Sequence, residues 1–325
     1  MTAHTPPRGI YAPLVTPFDA DGHVAAHALE VLAHDILAAG AAGLVALGTT
    51  AESATLDRDE KDAVVEVCAR VCRQRSAPLV VGAGGNDTRA AAADLQRLAR
   101  WPEVTAALVP VPTFTRPGPA GVVAHFTRLA AHSPVPLVVY HVPYRTAQRL
   151  DAATLRTLGQ VPGIIGVKYA TGGVREETVD LLADTPPGFA VLAGDDVLLS
   201  PMLALGATGG IVASAHLATG RFVDLAAAWQ RGDHATARPL GHALARWSAA
   251  AFAEPNPGVI KAVLHAAGRI PTPAVRLPLL PASREALERA GRRLADLQPD
   301  ATVERPARAG PSALGGPSRI GHCNR

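Results

Sequence analysis

Ile164-Ile165-Gly166-Val167-Lys168-Tyr169-Ala170 is an apolar run with a single charge set into it. It reads as a buried strand, and the ammonium inside it has no acidic neighbour in sequence. Taking such a charge out of water without a partner costs on the order of several kcal/mol. Either Lys168 is paired across the fold, or its pKa falls. A lysine with a depressed pKa is partly neutral near physiological pH, and a neutral amine can attack a ketone to form a Schiff base.

Outward from this run, short β-rich apolar segments alternate with longer helical ones, and the alternation repeats eight times. The strand candidates are 10–15, 43–47, 79–81, 106–109, 137–140, 164–169, 190–193 and 210–213. Between them, segments such as 26–39, 59–73, 88–99, 120–131 and 221–231 carry apolar residues at helical spacing. Strands that are apolar on both faces and each followed by a helix predict a parallel sheet covered by helices. Eight such units predict an α/β fold, a closed (β/α)8 TIM barrel over residues 9–232. An open dinucleotide-binding sheet would favour G-x-G-x-x-G after the first strand, where this chain has Leu14-Val15-Thr16-Pro17. Gly82-Ala83-Gly84-Gly85-Asn86, after the third strand, reads as a tight turn.

Residues 1–8 form an N-terminal arm. Segments 235–252, 257–267 and 283–297 predict a C-terminal three-helix appendage spanning 233–298. Residues 299–325 are rich in Pro, Gly, Ala, Arg and Ser without periodicity, and are expected to be a disordered tail.

Of the 325 residues, 48% are hydrophobic and 18% charged, ample for one large core. A formal charge of +3, with both signs interspersed, gives no nucleic-acid groove. The first residues lack a signal-peptide core and no 18-residue apolar run follows, so the expectation is a cytoplasmic, soluble protein with no membrane partner. Cys68 and Cys72 stand four apart on a predicted helix, and two thiols make a poor zinc site. A metal-dependent barrel hydrolase would need clustered ligands at strand ends, but no His-x-His follows strand one. No metal is expected.

A barrel enzyme carries its chemistry at the C-terminal ends of its strands. Strand two runs into Gly48-Thr49-Thr50-Ala51-Glu52-Ser53, where Thr49 and Thr50 can cap a helix and also hold a carboxylate. Strand five ends at Tyr140, one βα unit before Lys168, which brings a phenol beside the amine as a proton shuttle. Arg145 follows in a Pro-containing loop, and its planar fork suits a carboxylate at the mouth. Asp195 and Asp196 read as an N-cap with its neighbour, and Glu254-Pro255-Asn256-Pro257 as a helix start.

From Gly9 to Leu280 these residues, in this order, resemble the dihydrodipicolinate synthase and N-acetylneuraminate lyase family of pyruvate-dependent class I lyases. The marks are Gly48-Thr49-Thr50-Ala51-Glu52-Ser53-Ala54-Thr55-Leu56, Tyr140-His141-Val142-Pro143-Tyr144-Arg145-Thr146, Gly166-Val167-Lys168, Gly194-Asp195-Asp196 and Glu254-Pro255-Asn256-Pro257. The resemblance implies that Lys168 forms an imine with pyruvate, with no other cofactor. It gives proton transfer to Tyr140 and Thr49, the pyruvate carboxylate to Thr49 and Thr50, a pocket wall to the backbone near Ile211, and the carboxylate of an aldehyde partner to Arg145. In the synthase branch that aldehyde is aspartate semialdehyde. The alternatives are a pyruvate aldolase or dehydratase acting on a 2-keto-3-deoxy sugar acid or another 2-oxo acid and, from another class, a catalytically inactive ligand-binding barrel. A homotetramer built from dimers, or a homodimer, is also implied.

The sequence departs from the family pattern in places. Phe114 stands where the synthase usually has a tyrosine that crosses a subunit interface to complete a proton relay. Ala51 replaces a glycine, and Tyr169 follows the lysine where an acidic residue is common. The acidic and tyrosine positions of the family's lysine feedback site fall on Ala90 and Thr113. Free lysine titrated into the active enzyme is therefore expected to leave the rate unchanged; strong inhibition would show that the feedback site survives.

Overall fold

The computed structural model describes residues 5–297. Eight strands, β1 (Gly9–Pro13), β2 (Gly43–Ala46), β3 (Leu79–Gly82), β4 (Val104–Pro110), β5 (Leu137–His141), β6 (Ile164–Tyr169), β7 (Ala190–Ala193) and β8 (Gly209–Ile211), pair in chain order, all parallel. β8 returns to β1, closing the barrel. Around it run α1 (Ala26–Ala38), α2 (Arg58–Arg75), α3 (Thr88–Gln96), α4 (Gly118–Ala130), the single turn α5 (Pro143–Thr146), α6 (Ala152–Gly159), α7 (Glu176–Ala183), α8 (Leu199–Ala204) and α9 (Ala215–Gln230). The (β/α)8 architecture expected from the eightfold alternation is the one observed.

The differences are local. β1 stops at Pro13 because the Val15 N–H donates to His216 Nε2 rather than to a neighbouring strand. β4 begins earlier than its apolar run, at Val104, which pairs with Leu79; Ala106 pairs with Val80, and the exposed Thr105 between them is the extra residue of a bulge. Its hydroxyl donates to the Leu79 carbonyl. α9 starts six residues before the apolar spacing that predicted it, with a non-helical break at Ala218.

Alternation along each strand sends one set of side chains inward and the other against the helices. Tyr11, Val45, Val80, Leu108, Val138, Tyr140, Leu192 and Ile211 belong to the interior cluster. Val167 and Tyr169 pack with the helices, so Lys168 between them faces inward.

Three more helices follow, α10 (His234–Ala251), α11 (Gly258–Ala266) and α12 (Arg284–Ala295), within two residues of the expected bounds. They are knitted into the barrel. α10 packs on α8 and α9, and Trp247, wholly buried, donates its indole N–H to the Ser214 carbonyl after β8. α11 carries Lys261, whose Nζ lies 2.8 Å from Glu52 Oε1 with both side chains fully enclosed. Nζ also donates to the Thr16 carbonyl and lies 4.1 Å from the Phe18 ring centroid. The other carboxylate oxygen of Glu52 accepts the Arg276 backbone N–H at 2.8 Å. The expected tail at 299–325 lies outside the described residues, as do residues 1–4.

A buried ion pair gives little net stability, but removing one partner strands the other charge. Lys261→Met is expected to lower the unfolding free energy by about 3–5 kcal/mol. Urea denaturation checks this; a loss below about 1 kcal/mol would mean that the pair does not hold the C-terminal helices in place.

Candidate active site

β5 and β6 set the centre of the site. Leu137 pairs with Ile164, but Val138 pairs with Gly166, so β6 gains one residue on β5 at a bulge. Beyond it Tyr140 stands opposite Lys168. In unbroken register it would face Val167, which points the other way. Lys168 Nζ lies 4.4 Å from the Tyr140 ring centroid. Gly194, one residue past β7, closes the other side: a Cβ there would come within 2.9 Å of Lys168 Cγ. The lysine side chain needs that glycine.

The chain has only three lysines, at 61, 168 and 261, and two of them are buried. Their surroundings differ. Lys261 has Glu52, whereas Lys168, 6% exposed, has no salt-bridge partner among the described residues. Burial brings the Lys168 amine down to about 8, opposed by the Asp196 carboxylate, then Tyr144 and Asp195. Both possibilities left open for a lysine in an apolar strand occur in this chain, one at each buried lysine. At pH 7 a group titrating near 8 is about one-tenth neutral, against well under a hundredth for an ordinary lysine. Burial raises the Tyr140 phenol, while the neighbouring Thr49 hydroxyl and Arg145 lower it.

Thr49 and Thr50 sit in a 3-10 turn, Thr49–Ala51, entered by Leu47 (φ 54°) and left by Glu52 (φ 55°). Glu52 at the exit and Leu47, which precedes the extended Gly48 at the entry, both have positive φ, a conformation that costs a non-glycine residue about 1–2 kcal/mol. At the exit, the Lys261 and Arg276 contacts hold Glu52 in place. The entry depends on Gly82, where a Cβ would lie 2.2 Å from the Leu47 carbonyl oxygen. Thr49 is exposed on the wall of a cavity of about 620 Å³ that Tyr140 and Arg145 also line. Thr50 is buried, and its Oγ1 accepts from Asn256 Nδ2 at 3.0 Å. Neither threonine caps through its side chain. Ala51 has negative φ, so the usual glycine is not required there.

The structure therefore brings Thr49, Tyr140, Arg145 and Lys168 together. Ile211 ends β8 in the same interior cluster as Tyr140. Phe114 points away: it is 91% exposed, at φ 62°, and is not part of the cavity wall.

Asp195 stands at the N-cap of a 3-10 turn with Asp196 as its neighbour, as expected, but neither side chain caps that turn. Asp195 Oδ2 accepts from the Gly172 N–H at 2.8 Å, and Asp196 Oδ2 from the Ser214 N–H at 2.6 Å, tying the β7 loop to the loops after β6 and β8. Burial raises Asp196 to about 6, opposed by Ser214 and Lys168. Glu52 and Tyr144 lie within the quoted motifs with no role read for them, Asn256 only within a helix start, and Lys261 and Arg276 lie in none. Glu52 and Lys261 carried the only available signal, two charges in otherwise apolar surroundings.

A closed barrel with an uncompensated inward lysine beside a phenol falls among the class I lyases, which work through a protein amine. More narrowly, the chain belongs to the Dihydrodipicolinate synthetase family, which matches it over residues 6–296. A relative from Clostridium acetobutylicum, described as 4-hydroxy-tetrahydrodipicolinate synthase 2, is 34% identical over 281 residues, covering 86% of this chain and 97% of its own. The 4-hydroxy-tetrahydrodipicolinate synthase of Nitratidesulfovibrio vulgaris is 37% identical over 275 residues, covering 84% and 92%. The solved dihydrodipicolinate synthase of Bacillus anthracis superposes with a TM-score of 0.83 at 28% identity, over 92% of this chain and 99% of that one. That of Thermotoga maritima gives 0.85 at 28% identity, over 89% and 98%.

With three lysines, ¹⁵N-lysine NMR gives a resolvable titration. The Lys168 amine is expected to lose its proton with a midpoint near 8. A midpoint above about 10 would mean the side chain is solvated or paired.

Proposed function

We propose that this barrel condenses pyruvate with aspartate semialdehyde, the 4-hydroxy-tetrahydrodipicolinate synthase reaction. The observation that carries the reading is the buried amine of Lys168, without a salt-bridge partner among the described residues and facing the Tyr140 ring. The neutral amine attacks C2 of pyruvate, and the carbinolamine loses water to give an imine. Loss of a methyl proton gives the enamine, whose carbon bonds to the aldehyde carbon while the aldehyde oxygen takes up a proton. The amino group of the aldehyde partner then attacks the imine carbon, closing the ring and expelling Lys168 as the free amine, so that the one water lost on forming the imine is the net leaving group. No cofactor beyond the protein's own amine takes part.

Tyr140 carries protons in and out of the imine, with Thr49 at its side. Thr49 and Thr50 bind the pyruvate carboxylate, and the backbone near Ile211 forms the pocket wall. Arg145, on the cavity wall without a carboxylate partner among the described residues, receives the carboxylate of the aldehyde. A guanidinium that lies over the Tyr144 ring and has no carboxylate on it favours an acidic acceptor over a neutral sugar-derived one. A dimer, or a tetramer of dimers, is the assembly the family resemblance implies, and Phe114, almost wholly exposed, is free to meet a second subunit. No described helix is long and apolar enough to cross a membrane, in keeping with a cytoplasmic enzyme.

Borohydride added with pyruvate is expected to fix a covalent adduct on Lys168, located by peptide mass and absent in Lys168→Arg. No adduct in the wild type would defeat the proposal. A panel of aldehydes then reads the acceptor, and Arg145→Ala is expected to raise KM for aspartate semialdehyde at least tenfold. A preference for a neutral sugar aldehyde would move the assignment to a 2-keto-3-deoxy sugar acid aldolase.

A further inference from the structure

We propose that Asn256 is a positioning residue that frees the Thr50 hydroxyl proton for the substrate carboxylate. The inference rests on the reading of Thr50 given above. A hydroxyl has one proton to give and two lone pairs, whereas an asparagine side chain has a donor end and an acceptor end. Which of the two groups donates therefore decides where the threonine proton goes. If Thr50 donated to Asn256 Oδ1, its only proton would be used within the protein, and an incoming carboxylate would meet lone pairs. In the structure Asn256 Nδ2 donates to Thr50 Oγ1 at 3.0 Å. One lone pair is filled and the proton is left for the ligand.

Two further observations separate this from ordinary packing. The Thr50 bond is the only hydrogen bond the Asn256 side chain makes among the described residues, and its Oδ1 is buried with no partner. An asparagine kept for structure would use both ends. The loop that carries it is also anchored. Asn256 stands two residues before α11, and α11 is fixed through Lys261 to Glu52, two residues beyond Thr50. One segment thus grips the turn at both points, setting the Asn256–Thr50 geometry independently of the substrate.

The test compares the pyruvate concentration for half-maximal borohydride trapping in three settings, with kcat measured at saturating pyruvate. Asn256→Asp keeps the shape but only accepts, so it takes the Thr50 proton; half-saturation is expected to rise about tenfold or more with a smaller change in kcat. Asn256→Ala is expected to raise it several-fold. A space-filling role predicts the opposite order, with Ala worse than Asp. In a Thr50→Val background Asn256→Ala is expected to add nothing, because the proton it positions is gone. An Asp variant equal to wild type, or an Ala effect undiminished in Thr50→Val, overturns the proposal and leaves the lyase reading standing. Absence of trapping in the wild type itself sinks both.

Discussion

Glu52 can neutralise one buried ammonium, and it neutralises Lys261. Its two carboxylate oxygens are taken by the Lys261 side chain and the Arg276 backbone, so nothing is left over for the other enclosed lysine. The barrel's electrostatics divide accordingly. One lysine holds the fold at the cost of its reactivity, and the other is left to lower its own pKa. The carboxylates nearest Lys168, Asp195 and Asp196, are each tied to a backbone N–H of a neighbouring loop, and burial raises both. They moderate the amine rather than pair with it.

Geometry is set by the same economy. The one-residue gain of β6 on β5 turns Lys168 to the phenol, and the absence of a side chain at Gly194 leaves room for its methylene stem. The turn bearing Thr49 and Thr50 is flanked by two non-glycine residues of positive φ, Leu47 and Glu52, and depends on contacts from residues two hundred positions away. His216, fully buried and brought down to about 4, stays neutral at neutral pH, so that its Nε2 can accept the Val15 N–H and link the ends of β1 and β8. The histidine serves as a fixed acceptor.

The barrel was legible in the sequence because eight short apolar runs separated by helical spacing leave few architectures open. Lys168 and Tyr140 were legible because each ends such a run, and strand order made them neighbours. The bulge in β6 left one trace, Gly166, since an isolated glycine in a strand marks a bulge or a close backbone approach, but a glycine alone does not say which. The supporting shell was hidden for a different reason. Glu52, Asn256, Lys261 and Arg276 act through partners more than two hundred residues distant, and one sequence carries no record of which distant groups meet. Asp195 and Asp196 looked like a cap because they precede a helical turn, but the backbone groups they bind lie on other loops. The three C-terminal helices were legible as an addition to the barrel, but not what they pack on, because apolar spacing reports that a face is buried without saying against what.

That integration bears on how the chain comes into being. A polypeptide made from its N-terminus has all of residues 9–211 while residues 256–276 are still unmade. Such a nascent chain includes β6 and its lysine, but Glu52 has no counter-charge and Thr50 has no amide beside it. The order of synthesis thus sets the strands before the groups that complete the reactive face, and a chain halted short of residue 256 would carry all eight strand segments without the amide and the ammonium that fix the Thr49–Thr50 turn.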